Sequence, residues 1–314
     1  MSVSISSLPY IFIFDVDQCI IGDVKMCSRE YDVIKILYKN CKIKKITNVC
    51  NDSVNFQEEL KNGLLRPDFK KFIDFIKKKY NNVELYIYTN STFRWTNNAL
   101  IDNISKASKV KFNKPYFTRE NSDRNFKKQL SNIYDTIIKN LIKKYPLLKK
   151  DENKELVFEK QLVFIDDKIN NLNDYSKKQI LCPKYEFRCY YDIREKLMKK
   201  YKISAKEFDN NEEILDLFES YDLPLYSKNG SIYQQDRTYQ KILDLKQKRE
   251  TEIINRDIED TFFADLIKMM KTIKFFTEKT IQNINKQIKD INEDDEESSN
   301  EESSEEDSEN DDDT

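Results

Sequence analysis

Tyr10-Ile-Phe-Ile-Phe14 is an unbroken apolar run of strand-forming side chains, the pattern of a strand buried on both faces of a parallel sheet. Val83-Glu-Leu-Tyr-Ile-Tyr88 and Leu162-Val-Phe-Ile165 repeat it further along. Between these runs the apolar positions recur at helical spacing. Leu64-Leu-Arg-Pro67 leads into Phe69, Phe72, Ile73, Ile76 and Tyr80 on one helical face, with Pro67 suited to the first turn. Residues 125–144 carry a second stripe through Phe126, Leu130, Ile133, Tyr134, Ile137, Ile138, Leu141 and Ile142. Strands alternating with amphipathic helices predict right-handed β-α-β units. The expected fold is α/β, a Rossmann-like parallel sheet flanked by helices.

Past residue 200 the pattern changes. Residues 206–221 predict a helix, 224–230 a break, and Ser231 with Gln234 a capping box. A long charged helix is expected from there to Lys289, with an intermittent stripe through Ile254, Ile258, Phe262, Leu266, Met269, Ile273 and Phe276. Its heptad spacing is not sustained, so the stripe is expected to dock on the body or on a partner rather than form a long coiled coil. The last stretch is different again. Of 56 acidic residues 15 lie in residues 290–314, which hold no basic one, leaving residues 1–289 with 41 acids against 54 bases, a net +13. Such a block cannot build a core and predicts a disordered acidic tail. Ser298, Ser299, Ser303, Ser304 and Ser308 each precede an acid by three residues, a setting that suits an acid-directed kinase. The expected organisation is therefore an α/β domain over 1–200, a helical extension over 201–289 and the tail. Residues 22–63 read as too irregular for a regular helical cap.

Composition narrows the chemistry. The chain has no histidine and three glycines, Gly22, Gly63 and Gly230. Histidine-activated nucleophiles, histidine-ligated zinc and glycine-rich phosphate loops are all removed. Cys19, Cys27, Cys41, Cys50, Cys182 and Cys189 show no C-x-x-C spacing. Residues 1–10 lack the basic start of a secretory signal, and no run approaches the roughly 18 apolar residues of a membrane span. An intracellular protein with reduced thiols, cytoplasmic or nuclear and not membrane-bound, is expected.

Ligands of open α/β sheets bind beyond the carboxyl ends of the strands. There this chain places Asp15-Val-Asp17, Thr89-Asn-Ser91 and Asp166-Asp167. Asp15 and Asp17 project to one side of an extended chain, Cα atoms ~6.6 Å apart. Carboxylates that converge repel unless a cation lies between them, and an all-oxygen set favours Mg²⁺. An aspartate is already ionised at neutral pH and needs no histidine to act as a nucleophile. Phosphoryl transfer through an aspartyl-phosphate fits this set best.

The order D-x-D, T, K, D-D after successive strands resembles the haloacid dehalogenase superfamily. Within it the chain resembles the phosphoprotein phosphatase branch, the RNA polymerase II carboxy-terminal-domain phosphatases (FCP/SCP-type, also called NLI-interacting-factor-like). Asp15-Val-Asp-Gln-Cys19 resembles D-x-D-x-T, and Leu65-Arg-Pro-Asp-Phe-Lys-Lys-Phe72 resembles R-P-G-hydrophobic-x-x-F-L. Tyr88-Thr-Asn-Ser91 resembles T-A-S, Arg119 with Asn125-Phe-Lys-Lys-Gln-Leu-Ser131 resembles an arginine followed by N-Y-x-K-D-L-S, and Ile165-Asp-Asp-Lys168 stands at D-D. The similarity covers residues 10–195. It departs at Cys19 for threonine, Asp68 for glycine, Asn90 for a small residue and Gln129 for aspartate. The resemblance implies that Asp15 attacks phosphorus and that Asp17 protonates the leaving alcohol and then activates water. It implies that Thr89 and Lys128 hold the phosphoryl oxygens, with Asn90 and Arg119 contacting substrate. Asp15, Asp17 through its carbonyl, Asp166 and Asp167 would hold Mg²⁺. Lys127 and Lys168 rival Lys128. The implied substrate is a protein phosphorylated on serine or threonine. A small phosphometabolite, a nucleic-acid phosphate drawn to the basic body, and a catalytically silent interaction protein on the same fold stay open.

Overall fold

The computed structural model describes residues 5–22, 24–40, 56–169, 171–185, 187, 190–209, 211–219 and 260–305. They belong to two compact units: one drawn from residues 1–22, 56–185 and 260–314, the other from 23–55 and 186–259. The break expected near residue 200 falls inside the second unit, because helices on either side of that position share one core.

The first unit is built on a four-stranded parallel sheet: β1 Tyr10–Phe14, β2 Val83–Ile87, β3 Leu162–Asp166 and β4 Gln179–Leu181, in the order β2-β1-β3-β4. β1 is buried along its whole length, as its apolar run requires. Ile11 and Ile13 face a core with Tyr86, Tyr88, Leu130, Ile133, Ile137 and Phe164, closed by helices Leu130–Leu141 and Asp151–Gln161. On the other face Phe12 and Phe14 meet Phe72 edge-on, at centroid distances of 6.4 and 6.3 Å, and Phe263 lies 5.2 Å from Phe72. Phe263 belongs to helix Phe262–Met270, so the part of the stripe at Phe262 and Leu266 docks on the sheet domain itself. The three-residue β4 has no run long enough to show a pattern and was not expected.

Several boundaries differ from the periodicity. The helix expected from Pro67 is Phe69–Lys79, preceded by Asp68 at φ 57°. That left-handed value explains glycine in the resembled pattern, and aspartate is among the few other residues that tolerate it. The helix expected over 125–144 starts at Leu130, where both Asp174 carboxylate oxygens accept the Leu130 and Ser131 N–H groups at 2.6 and 2.9 Å. The long helix expected to Lys289 is interrupted after Met270. Phe276 stands in the gap with its ring 5.3 Å from that of Phe12, and a second helix, Glu278–Glu305, carries the backbone past residue 290. Ile254, Ile258, the Ser231/Gln234 box and Ser308 lie outside the described residues, as do the side chains of the other four tail serines.

The second unit contains helices Val24–Lys39, Tyr190–Tyr201, Ala205–Asp209 and Glu212–Glu219. Its core is Val33, Ile34, Leu37, Ile193, Leu197, Ile203, Phe208 and Ile214. Residues 24–39 were expected to be irregular. They form a regular helix because their sparse apolar positions find partners some 160 residues away. Where one helix was expected over 206–221, the described residues hold two, Ala205–Asp209 and Glu212–Glu219. Among the described residues no helix is long and apolar enough to cross a membrane.

Candidate functional site

The parallel register sets Phe14 level with both Ile87 and Ile165, so the chain leaves β1, β2 and β3 along one edge. Asp15 follows β1 directly, its N–H donating to Ile165 O at 2.9 Å, and Asp166 ends β3. Lys128 reaches the same point from the loop before helix Leu130–Leu141, not from the helix on which it was expected. Its N–H donates to Asn171 O and its carbonyl accepts from Asn173 N, both at 2.8 Å, so its backbone is pinned on both sides. The Lys128 side chain is completely buried, with Nζ 2.8 Å from Asp15 Oδ1 and 2.7 Å from Asp166 Oδ2. Asp166 is fixed in turn, Oδ1 accepting the Lys168 N–H at 2.8 Å and Oδ2 the Asn171 amide at 2.9 Å.

Asp15, Asp166 and Asp167 each offer an oxygen, and these oxygens lie within 4.8 Å of one another. Burial pushes the Asp15 carboxyl upward, Lys128 pulls it back, and Asp166 and Asp17 add to the rise. Burial works against the charged Lys128, but Asp15 and Asp166 outweigh it and hold the ammonium protonated. Burial, then Asp166, pushes Asp167 up to about 6. Asp167 Oδ1 is buried and has no hydrogen-bond partner among the described residues. Three carboxyl groups face one ammonium, and with burial pushing Asp15 up to about 8 the cluster does not hold all of its negative charge at neutral pH without a further cation. A hard divalent cation fits this donor set in charge, in ligand type and in the unsatisfied oxygen.

The remaining expected residues form a second layer. Asp17 stands outside the oxygen cluster: its carboxylate is not among the three, and Oδ2 accepts the Ser91 hydroxyl at 2.9 Å. Thr89 is fully buried; its N–H donates to Phe117 O at 3.0 Å and its Oγ1 accepts the Ser91 N–H at 3.1 Å. Asn90 donates to Asn171 Oδ1 at 3.3 Å, and so touches a residue that orients Asp166. Arg119 belongs to the rim. Its Nε donates to the Asn90 carbonyl at 2.9 Å and its guanidinium lies 5.0 Å from the Phe126 ring centre. Cys19, at the threonine position of the resembled motif, donates its thiol to Ile165 O at 3.6 Å and so still ties the loop to β3.

Asn171, the role of Ser91 and the setting of Arg66 were missed from sequence. Asn171 sits in an asparagine-rich loop whose spacing carries no signal. Arg66 could have been noticed as a lone cation among Leu64, Leu65 and Phe69. Compared with family models, with curated proteins and with solved structures, the chain finds no match in any of the three.

Proposed function

We propose that this chain is a Mg²⁺-dependent phosphomonoester hydrolase of haloacid dehalogenase type that works through an aspartyl-phosphate, with phosphoserine or phosphothreonine in protein as its substrate. The observation that carries the reading is the meeting of Asp15, Lys128, Asp166 and Asp167, from three separate stretches of chain, at the carboxyl edge of the sheet.

In this reading an Asp15 oxygen attacks phosphorus, the new O–P bond forming as the bond to the ester oxygen breaks. Asp17 gives the departing oxygen its proton. Its carboxylate is held by Ser91 and clear of the oxygen cluster, which suits a group that exchanges protons rather than one that binds metal. Asp17 then takes a proton from water, the water oxygen attacks phosphorus, and Asp15 is released. Lys128 draws the Asp15 carboxyl back toward its ionised, nucleophilic form against the effect of burial and offers positive charge to phosphoryl oxygens, while the buried Thr89 turn lines the same edge. Asp15, Asp166 and Asp167 would hold Mg²⁺, which supplies charge stabilisation of the phosphoryl oxygens when bound.

Purified protein should hydrolyse an aryl phosphate with Mg²⁺, and Asp15→Asn should abolish turnover. Asp17→Asn should lower kcat on the order of 10²–10⁴-fold. A panel of phosphopeptides, small phosphometabolites and phosphorylated oligonucleotides ranks the substrate classes. If folded wild type turns over none of them, the chain is an interaction protein on this fold.

A further inference from the structure

Arg66 is among the largest fully buried side chains of the protein and lies outside the acid cluster. Each of its three guanidinium nitrogens lies within 3.1 Å of an oxygen. Nε is 3.0 Å from both Asp260 oxygens, Nη2 is 2.8 Å from Asp260 Oδ2, and Nη1 donates to the Cys19 carbonyl at 3.1 Å. The plane is sheathed in rings, with Phe262, Tyr185 and Phe263 centred 4.6, 5.4 and 5.7 Å from its carbon.

The carbonyl it holds is part of the turn that follows Asp17. That turn is tight: the N–H groups of Cys19, Ile20 and Ile21 all point at Val16 O, at 3.3, 3.1 and 3.1 Å. It is also strained, because Gln18 has φ 61°, a left-handed value that costs a non-glycine residue roughly 1–2 kcal/mol. A strained turn persists only where its surroundings over-determine it. Here the Gln18 carbonyl accepts the Tyr185 N–H at 2.8 Å, the Ile20 carbonyl accepts the Arg66 N–H at 3.0 Å, and the Cys19 carbonyl takes the guanidinium.

We propose that Arg66 and Asp260 form a positioning pair that sets the Asp17–Gly22 turn, so that the geometry of the two N-terminal aspartates depends on a carboxylate 194 positions away from its arginine. Asp260 aims the guanidinium, the three rings pack around it, and Nη1, which faces away from the carboxylate, donates an N–H that fixes the Cys19 peptide. Neither residue touches substrate. The catalytic half of the inference rests on the phosphatase reading; the structural half does not.

The test is the pair Arg66→Met with Asp260→Leu in the full chain. Replacing a buried ion pair by apolar residues of similar volume is often neutral for stability, so the fold is kept while the Cys19 carbonyl loses its donor. Amide exchange of Cys19, Ile20 and Ile21 should accelerate at least ~10-fold with the β1 amides unmoved. With an aryl phosphate kcat should fall about 10–100-fold while KM moves less than ~2-fold, as for a misplaced reacting group. Arg66→Lys, which keeps the charge but cannot reach Asp260 and the Cys19 carbonyl together, is the second variant, with the same direction of change. Unchanged exchange, or accelerated exchange with kcat intact, overturns the proposal. A wild type without turnover ends the phosphatase reading instead, and exchange alone then decides this one.

Discussion

Lys128→Met removes the ammonium between Asp15 and Asp166 and leaves a side chain of nearly the same length. The wild-type contacts are 2.8 and 2.7 Å long, and the lysine is fully buried. At an effective dielectric of about 20 each contact is worth roughly 6 kcal/mol of attraction, much of which offsets taking the charges out of water. Removing one partner of a buried pair costs about 3–5 kcal/mol, because the other charge stays buried without compensation. Two carboxylates lose their partner here, so the upper half of that range is expected. With a urea m-value of about 2 kcal/mol per molar, the midpoint should drop by about 2 M. Trp95 is the only tryptophan and lies in the sheet unit, so its fluorescence reports on the right region. The measurement belongs in EDTA at pH 7 and again in Mg²⁺. Added Mg²⁺ should recover more stability in the variant than in wild type, since the cluster then lacks the one ammonium that offsets its carboxyl groups. A loss below about 1 kcal/mol in EDTA, or no added gain from Mg²⁺, would refute the charge accounting on which the site is built.

Two further outcomes are expected. Asp167 has a folded pKa of about 6, above its ordinary carboxylate value of 3.8, so the folded chain keeps a proton that the unfolded chain has released. Its contribution to metal-free stability is thus full below about pH 4 and lost as pH rises to about 6. Urea titrations of wild type and Asp167→Asn in EDTA should differ in pH slope across that window and run parallel above it. Phe263→Ala should cost about 3–5 kcal/mol, since the ring is fully buried against Phe69 and Phe72 at 5.3 and 5.2 Å. A loss under about 1 kcal/mol by Trp95 fluorescence would show that residues 262–270 are not part of the core of this unit.

The three strands were legible because a strand buried on both faces must be apolar throughout, and that demand is local. The order of Asp15, Thr89 and Asp166 was legible for the same reason: each directly or closely follows one of those runs. What periodicity encodes is which face of an element is apolar, not what lies against it. Residues 24–39 therefore read as irregular until Ile193, Leu197 and Phe208 supplied the other half of their core. On paper Lys127 and Lys168 rivalled Lys128. Lys128 alone is anchored by Asn171 and Asn173 with its ammonium between two carboxylates, a selection made by contacts 38 to 113 residues apart. The same holds for Arg66 and Asp260, whose pairing no local pattern announces. Sequence by itself determined three of the four strands and which acids follow them, since backbone direction and hydrophobic burial act residue by residue. Only the tertiary structure decided which charges share a buried space, because Coulomb energy and desolvation depend on distance in space and not on distance along the chain.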